Sequence, residues 1–386
     1  MRRMNEQDNP HDIAYPSRNE FFLVHLLCLA VVRIRVTDQA LALCLGLYLL
    51  RIFAISAGYH RYFAHRSFRT SRVFQFVLAF LAQTSAQRGV LWWAAHHRRH
   101  HKYSDTALDA HSPVLRGFLY AHLGWIFVPC NLVTDHEAVR DLARYPELRW
   151  LDRRPFLPAT LLAITAWLIA GWPGVIVGFC WSTVAVWHAT FSINSLAHLF
   201  GRRRYITGDQ SRNNWFLALL TMGEGWHNNH HAYQASARLG FRWWECDPTY
   251  YILKLLSHAG VVWDLHVPPQ ALLEDEQRLG RHVIEKAAAQ LAASFPIDFI
   301  ASQAFAAMAR RPDWAELRTR VLSSVPAEAF WAKTELSHLP TLADVRRRAK
   351  TCLPRTPWID EIVLCARQRL LELVHSRLID QAASER

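Results

Sequence analysis

The sequence contains no Cys-x-x-Cys pair, and its seven cysteines are scattered over 386 residues. This excludes an iron–sulfur cluster held by a cysteine array, and in a reducing compartment it leaves the cysteines as free thiols. No His-Pro-Gly-Gly haem motif occurs either, so the sequence carries no fused b-type cytochrome module. Arg2 and Arg3 lead into Asn5, Glu6, Gln7, Asp8 and Asn9 rather than into an apolar core, which predicts no secretory leader. Acidic residues are few, 32 against 44 Lys and Arg, for a formal net charge of +12. The arginines are spread beside apolar segments, which suits phospholipid headgroups better than nucleic acid.

What the chain does have is hydrophobic residues, 51% of the total with 16 Trp, gathered in blocks rather than spread periodically. One block runs from Glu20 to Val36 and a second from Ala40 to Ala57, with Thr37, Asp38 and Gln39 as the turn between them. A third and a fourth lie within Phe156 to Phe191, broken by Gly171, Trp172, Pro173 and Gly174. Each leg is near or below the ~17 to 25 residues of a spanning helix, so the pattern predicts two transmembrane hairpins. Arg33, Arg35 and Arg51 count against the first hairpin unless each snorkels or finds a partner.

Two hairpins return the chain twice to its starting side. Residues 60 to 154 and Arg202 to Arg204 are Arg-rich, which assigns that side to the cytoplasm. Two further apolar stretches, Phe74 to Ala86 and Leu115 to Val128, are expected at the interface or beneath the cytoplasmic part, because a fifth span would separate the histidines described next. The predicted architecture is therefore an all-α integral membrane protein. It comprises an N-terminal cytoplasmic segment (1–19), a membrane domain with four transmembrane helices and a cytoplasmic helical cap (20–267), and a C-terminal helical extension (268–386). That extension shows no catalytic constellation, and its His282, His338 and His375 are isolated.

His97, His100 and His101 form a His-x-x-His-His box, and His227, His230 and His231 repeat its spacing. On a helix these positions fall near about 0°, 300° and 40°, so all three rings leave one face. His60, His65 and His198 add three more, although the five-residue step from His60 to His65 puts those rings about 140° apart on a regular helix and requires a distorted end or a loop. Imidazole suits zinc, copper, iron and nickel alike. Nine histidines, with Asn194 one turn before His198, exceed what one ion takes and imply two, a dinuclear redox centre rather than a single hydrolytic zinc.

With these motifs the sequence resembles the membrane-bound acyl-CoA desaturases of the stearoyl-CoA type. The resemblance runs through Gly58-Tyr59-His60 to His65, His97-Arg98-Arg99-His100-His101, Asn194-Ser195-Leu196-Ala197-His198 and Gly223-Glu224-Gly225-Trp226-His227-Asn228-Asn229-His230-His231, and continues to about His266. It implies two iron ions held directly by His60, His65, His97, His100, His101, His198, His227, His230 and His231, and through water by Asn194. The implied reaction uses dioxygen to convert a saturated long-chain acyl-CoA into a cis-monounsaturated one, usually at carbons 9 and 10. A separate ferredoxin or b-type cytochrome with its reductase would supply electrons. The substrate tunnel would bend past Gln87, Trp93, Thr190 and Phe191, the last standing where the family usually has Trp. Asp105 and Glu224 are the nearby carboxylates expected to orient ligand rings.

The sequence departs from that pattern in places. His96 adds a histidine expected to be spare. The basic pair that helps hold CoA phosphates in the animal enzymes is absent after Gly124-Trp125-Ile126-Phe127, leaving Arg98 or Arg202 to Arg204 for that task and the carrier open between CoA, acyl carrier protein and phospholipid. The nearest competing chemistry is hydroxylation at the same kind of centre; a non-catalytic metal or haem membrane protein is the third reading.

Overall fold

The computed structural model describes residues 18–274, 278–323, 326–331, 334 and 339–384. Residues 1–17 of the expected N-terminal segment, and His338, lie outside the described residues. Helix dominates. The two short strands Arg69–Thr70 and Val262–Trp263 pair antiparallel, with Arg69 opposite Trp263. The chain divides into two compact units, one drawn from Met1–Arg202 and Gln210–Pro268, the other from Arg203–Asp209 and Pro269–Arg386.

The first unit opens with α1 (Arg18–Cys28), which tightens into a 3-10 turn over Leu29–Arg33. After extended backbone, the Thr37 hydroxyl accepts from Ala40 N–H at 3.2 Å and starts α2 (Asp38–Phe53). Asp38 and Gln39, expected in the turn, therefore belong to the helix, because Thr37 supplies its cap. α2 runs directly into a π-helix over Ala54–Ala64. The helices α3 (Arg72–Gln83), α4 (Val90–Tyr103) and α5 (Pro146–Asp152), with shorter helical pieces between α4 and α5, then precede the second hairpin.

α6 (Leu157–Pro173) breaks at Ala170 and Gly171, whose backbone is non-helical, and continues as a π-helix over Gly174–Trp181 and as α7 (Ser182–Ser195). The break reverses the chain. A methyl group on Gly174 would lie 2.1 Å from Ala166 O, a residue that would be about 12 Å away on a straight helix. The Gln39 amide, at the start of α2, reaches Ile169 O at 3.3 Å, so both hairpin tips lie together. α1 lies along the same hairpin: Trp181 donates to Cys28 O at 3.1 Å and Phe21 stacks on Trp187.

Two helical segments, Asp38–Ala64 and Leu157–His198, are long and apolar enough to cross a membrane. Exposed apolar side chains, among them Leu26, Leu45, Ile164 and Leu168, cover these legs and α1. An apolar exterior of this extent is stable against lipid rather than water. Arg51, fully buried in α2, has found partners: it donates to Leu47 O at 3.0 Å, to Thr183 Oγ1 at 2.7 Å and to Ser182 Oγ. Arg33 and Arg35 are exposed near the tip, where their heads can snorkel. α3 is too short to span, and the stretch around Leu115 to Val128 breaks into short pieces, Pro113–Arg116, Phe118–His122 and Gly124–Phe127.

Beyond the hairpins, the first unit adds α8 (Trp215–Leu220), α9 (His227–Ala232) and α10 (Pro248–His258). The second unit is a helical bundle that includes α11 (Arg281–Ala293), α12 (Ile297–Ala309), α13 (Leu342–Cys352) and the long α14 (Ile359–Ser384). Its core joins Ile284, Ala288, Leu291, Phe330, Ile362 and Leu370. His375 is buried there against the Phe330 ring, a packing residue as its isolation in sequence suggests.

Candidate metal centre

The π-helix resolves the awkward spacing of the first pair. His65 N–H bonds to His60 O, five residues back, at 3.2 Å, so the wider turn brings both rings to one side. α4 presents His97, His100 and His101; α9 presents His227, His230 and His231; a 3-10 turn after α7 presents His198. The nine rings gather into two sets, His60, His65, His97, His101 and His230 in one, His100, His198, His227 and His231 in the other. In each box the first and fifth positions go to one set and the fourth to the other, in opposite sense. Each box helix thus serves both sets.

The donor atoms fit metal ions. In the five-histidine set, Nε2 atoms face one another at 2.9 Å for His60 and His230, 2.9 Å for His65 and His97, 3.0 Å for His97 and His101, and 2.9 Å for His101 and His230. Two nitrogens bound at right angles to one ion at about 2.1 Å would be about 3.0 Å apart. Hydrogen bonds do not account for the cluster, because a neutral imidazole has one N–H and that of His60 points at Glu224 from Nδ1. In the other set His198 and His227 Nε2 stand 3.0 Å apart, and His100 Nε2 is buried with no hydrogen-bond partner. Burial first, then the neighbouring His60 ring, drives the pKa values of His65, His97 and His230 well below the ordinary range; burial, then His231, does so for His101. All four rings are held neutral, the form in which imidazole can bind a metal.

Carboxylates fix the outer ring nitrogens. Glu224 accepts from His60 Nδ1 and Ser56 Oγ, and Arg61 Nη2 holds its Oε1 at 3.2 Å. Burial alone would raise the Glu224 pKa, but the His60 ring and the Arg61 guanidinium bring it down to about 2. Asp105 Oδ2 accepts from His198 Nδ1 at 3.0 Å. Sequence reasoning missed Asp109, whose Oδ1 accepts from His100 Nδ1 at 3.1 Å, and His111, which stacks on His100. Burial opposes ionisation of Asp109, yet His100 and His111 hold its pKa far below the carboxylate range. The signal available was an acidic residue one turn beyond Asp105, followed closely by a further histidine.

A cavity of about 410 Å³ adjoins the histidines and is lined by Gln87, Trp93, Thr190, Phe191, Asn194 and His97, among others. All four expected tunnel residues thus face one space. Gln87 Nε2 donates to Thr190 Oγ1 at 3.1 Å, and the Trp93 ring stacks on His97. The volume lies within the roughly 300–1,000 Å³ of ligand pockets. Asn194 also lines a smaller cavity with His60, His97, Glu224 and His227. It therefore stands between the rings and the larger space. His96 lies outside both sets, its Nδ1 on Trp92 O at 3.1 Å. Arg98 is not free for a CoA phosphate: Asp141, at 2.8 and 3.0 Å, and the carbonyls of Phe63, Ala64 and Ala138 take its donors. All seven cysteines are unpaired.

α4 owes its placement to distant side chains. Its cap residue is Gly89, with no side chain to accept a hydrogen bond. Instead the Asp152 Oδ1 on α5 accepts from Leu91 and Trp92 N–H at 2.8 and 3.4 Å, and Gln83 Oε1 on α3 accepts from Val90 N–H at 3.2 Å. A side chain at Gly89 would occupy the Asp152 carboxylate, 2.0 Å from its Cβ position.

The family model described as "Fatty acid desaturase" matches residues 39–265. The acyl-CoA 5-desaturase of Anemone leveillei is 38% identical over 251 residues, covering 64% of this chain and 78% of that protein. The sn-2 palmitoyl-lipid 9-desaturase of Nostoc is 37% identical over 229 residues, 58% of this chain and 80% of the relative. A hex-5-enoyl-[acyl-carrier protein] acetylenase of Moorena producens is 35% identical over 268 residues, 62% of this chain and 80% of the relative.

Proposed function

Because this chain belongs to the fatty acid desaturase family, we propose that it converts a saturated long-chain acyl thioester, acyl-CoA first among the carriers, into a cis-monounsaturated chain, at carbons 9 and 10. The observation that carries this reading is the convergence of nine histidines in sets of five and four beside an apolar cavity. The nine residues would hold two iron ions, with Asn194 contributing through water. When bound, the ions supply dioxygen activation and hydrogen abstraction.

The chain's own residues do the rest. Glu224, Asp109 and Asp105 accept from the outer nitrogens of His60, His100 and His198, a tautomer in which each Nε2 would carry the lone pair that holds an ion. Gln87 and Thr190 close one wall of the cavity through their hydrogen bond, and Trp93, stacked on His97, lines it beside that ring. An acyl chain threaded there would bend past Gln87, Trp93, Thr190 and Phe191 and be kept from water, so that one pair of methylenes faces the centre. Dioxygen takes up two hydrogens from the chain together with two electrons and two protons and leaves as two waters. The electrons come from a separate ferredoxin or b-type cytochrome with its reductase.

Four membrane-spanning legs belong to the same proposal. α1 with its 3-10 turn and the two halves of the second hairpin lie along α2, with both tips at the end away from the histidines; the Arg-rich residues 60 to 154 and Arg202 to Arg204 on the histidine side support a centre that opens to the cytoplasm. Relatives named for CoA, lipid and acyl-carrier-protein substrates, and for positions 5 and 9, define the competing outcomes. Expression in a desaturase-deficient host followed by gas chromatography of fatty acids, with the double bond located by derivatisation, tests the reading. A new cis-9 monoene is expected. A double bond elsewhere corrects the position, a hydroxylated chain moves the protein to the oxygenases, and an unchanged profile in cells that accumulate the protein rejects the catalytic reading.

A further inference from the structure

The stretch after His198 is attached at two places. Its base is held on the metal centre: Arg202 and Asn213 exchange backbone hydrogen bonds at 2.9 and 2.8 Å, and Arg212 N–H donates to Ala197 O at 2.7 Å. Its tip, Arg203–Asp209, belongs to the C-terminal unit. Ile206 is 6% exposed and forms part of that unit's core with Ile284, Ala287 and Ala288. Gly208 has φ +75° and lies so close to α11 that a methyl group on it would meet Lys286 Cβ at 2.8 Å, while its carbonyl accepts from Gln290 Nε2 at 2.9 Å.

The residue after this gripped segment touches the carboxylate behind a ligand. Gln210 N–H donates to Asp105 Oδ2 at 2.7 Å, and the same oxygen accepts from His198 Nδ1 at 3.0 Å. His198 belongs to the four-histidine set, and none of the five histidines of the other set comes from this stretch. The Gln210–Asp105 contact gives a shift of the tip a direct route to His198, while the base of the stretch is anchored on α9, where Asn213 and Asn229 exchange hydrogen bonds at 2.7 and 3.0 Å. The family match ends at residue 265, before the C-terminal bundle begins.

We infer that the C-terminal unit acts as a clamp on Arg203–Asp209, and that Ile206, Gly208 and Gln290 are positioning residues for the metal ion held by His100, His198, His227 and His231. The clamp fixes Gln210, Gln210 fixes Asp105, and Asp105 fixes the tautomer and angle of His198. Hydrogen-bond partners behind a metal-ligating imidazole typically change metal affinity about 10- to 100-fold when lost, so the effect is large enough to decide occupancy. The inference rests on the two-metal reading proposed above.

The test is a titration of full-length, purified, metal-free protein with ferrous ion under anaerobic conditions, together with hydrogen exchange over residues 199–214. Wild type is expected to take two ions per chain. Ile206→Ala and Gln290→Ala should keep one ion at wild-type affinity and bind the other about 10- to 100-fold more weakly, with faster exchange over 199–214. Val321→Ala opens a cavity in the same core without touching the gripped segment and should keep both ions. Two ions at unchanged affinity in a variant whose 199–214 exchange has risen would overturn the clamp alone. A single ion bound by wild type would overturn the two-metal reading and the clamp with it. If Ile206→Ala does not fold, Gln290→Ala, which removes one hydrogen bond, decides between these outcomes by the same measurement.

Discussion

Single carboxylates set the behaviour of the centre. Glu224→Gln keeps an acceptor for His60 but removes the charge that holds Arg61, and should lower metal affinity by about tenfold or more with a matching loss of activity; full metal and full activity would rule the role out. Asp152 gives a pH prediction. Its buried carboxyl has its pKa raised to about 6 because burial outweighs the two N–H groups it caps. A raised acid pKa means that the protonated form is favoured on folding, so this contribution is full below about pH 4 and is lost as pH rises to about 6. Asp152→Asn keeps the cap and has no charge to lose. The difference in melting temperature between this variant and wild type should therefore grow in favour of the variant between about pH 4 and 6 and then level; a flat difference would refute it. Nothing in sequence joins Asp152 to Leu91, whereas Asp105 and Glu224 stand beside histidine motifs in the chain. Spacing finds a partner a few residues away and misses one that only folding delivers.

Elements are legible where one helical period governs them. The boxes at His97 and His227 each read as one face, and α4 and α9 supply those faces. The step from His60 to His65 fits no α-helical face, because the backbone there widens into a π-helix, which leaves no mark on the hydrophobic pattern. The hairpin turn at Gly171 is marked by Gly-Trp-Pro-Gly, while the first turn falls a few residues earlier than expected because Thr37 caps α2. If both tips face away from the cytoplasm, a membrane-impermeant thiol reagent applied to intact cells should modify Trp172→Cys and leave wild type, whose Cys130 and Cys246 are exposed, unlabelled. Labelling of wild type under those conditions would invert the orientation.

For the molecule as a whole, the ions should act as cross-links. They would join the segment at His60 and His65, the two box helices and the turn at His198, so metal removal should lower the unfolding temperature of the first unit. At about one hundred times the dissociation constant the ligand contribution is worth about 2.7 kcal/mol per site, and calorimetry with and without chelator measures it; equal melting temperatures would count against tight binding. The bundle after residue 268 reads as helical from its composition, but its hold on 203–209 does not, since a short segment drawn in from elsewhere in the chain has no signature of its own. The sharing of each box between both sets has a consequence for biosynthesis. One set lacks His230, and the other His227 and His231, until the last box has left the ribosome. A nascent chain therefore offers neither complete histidine set during most of its translation, and on the proposed two-iron reading iron loading would be a late event that follows synthesis of both hairpins.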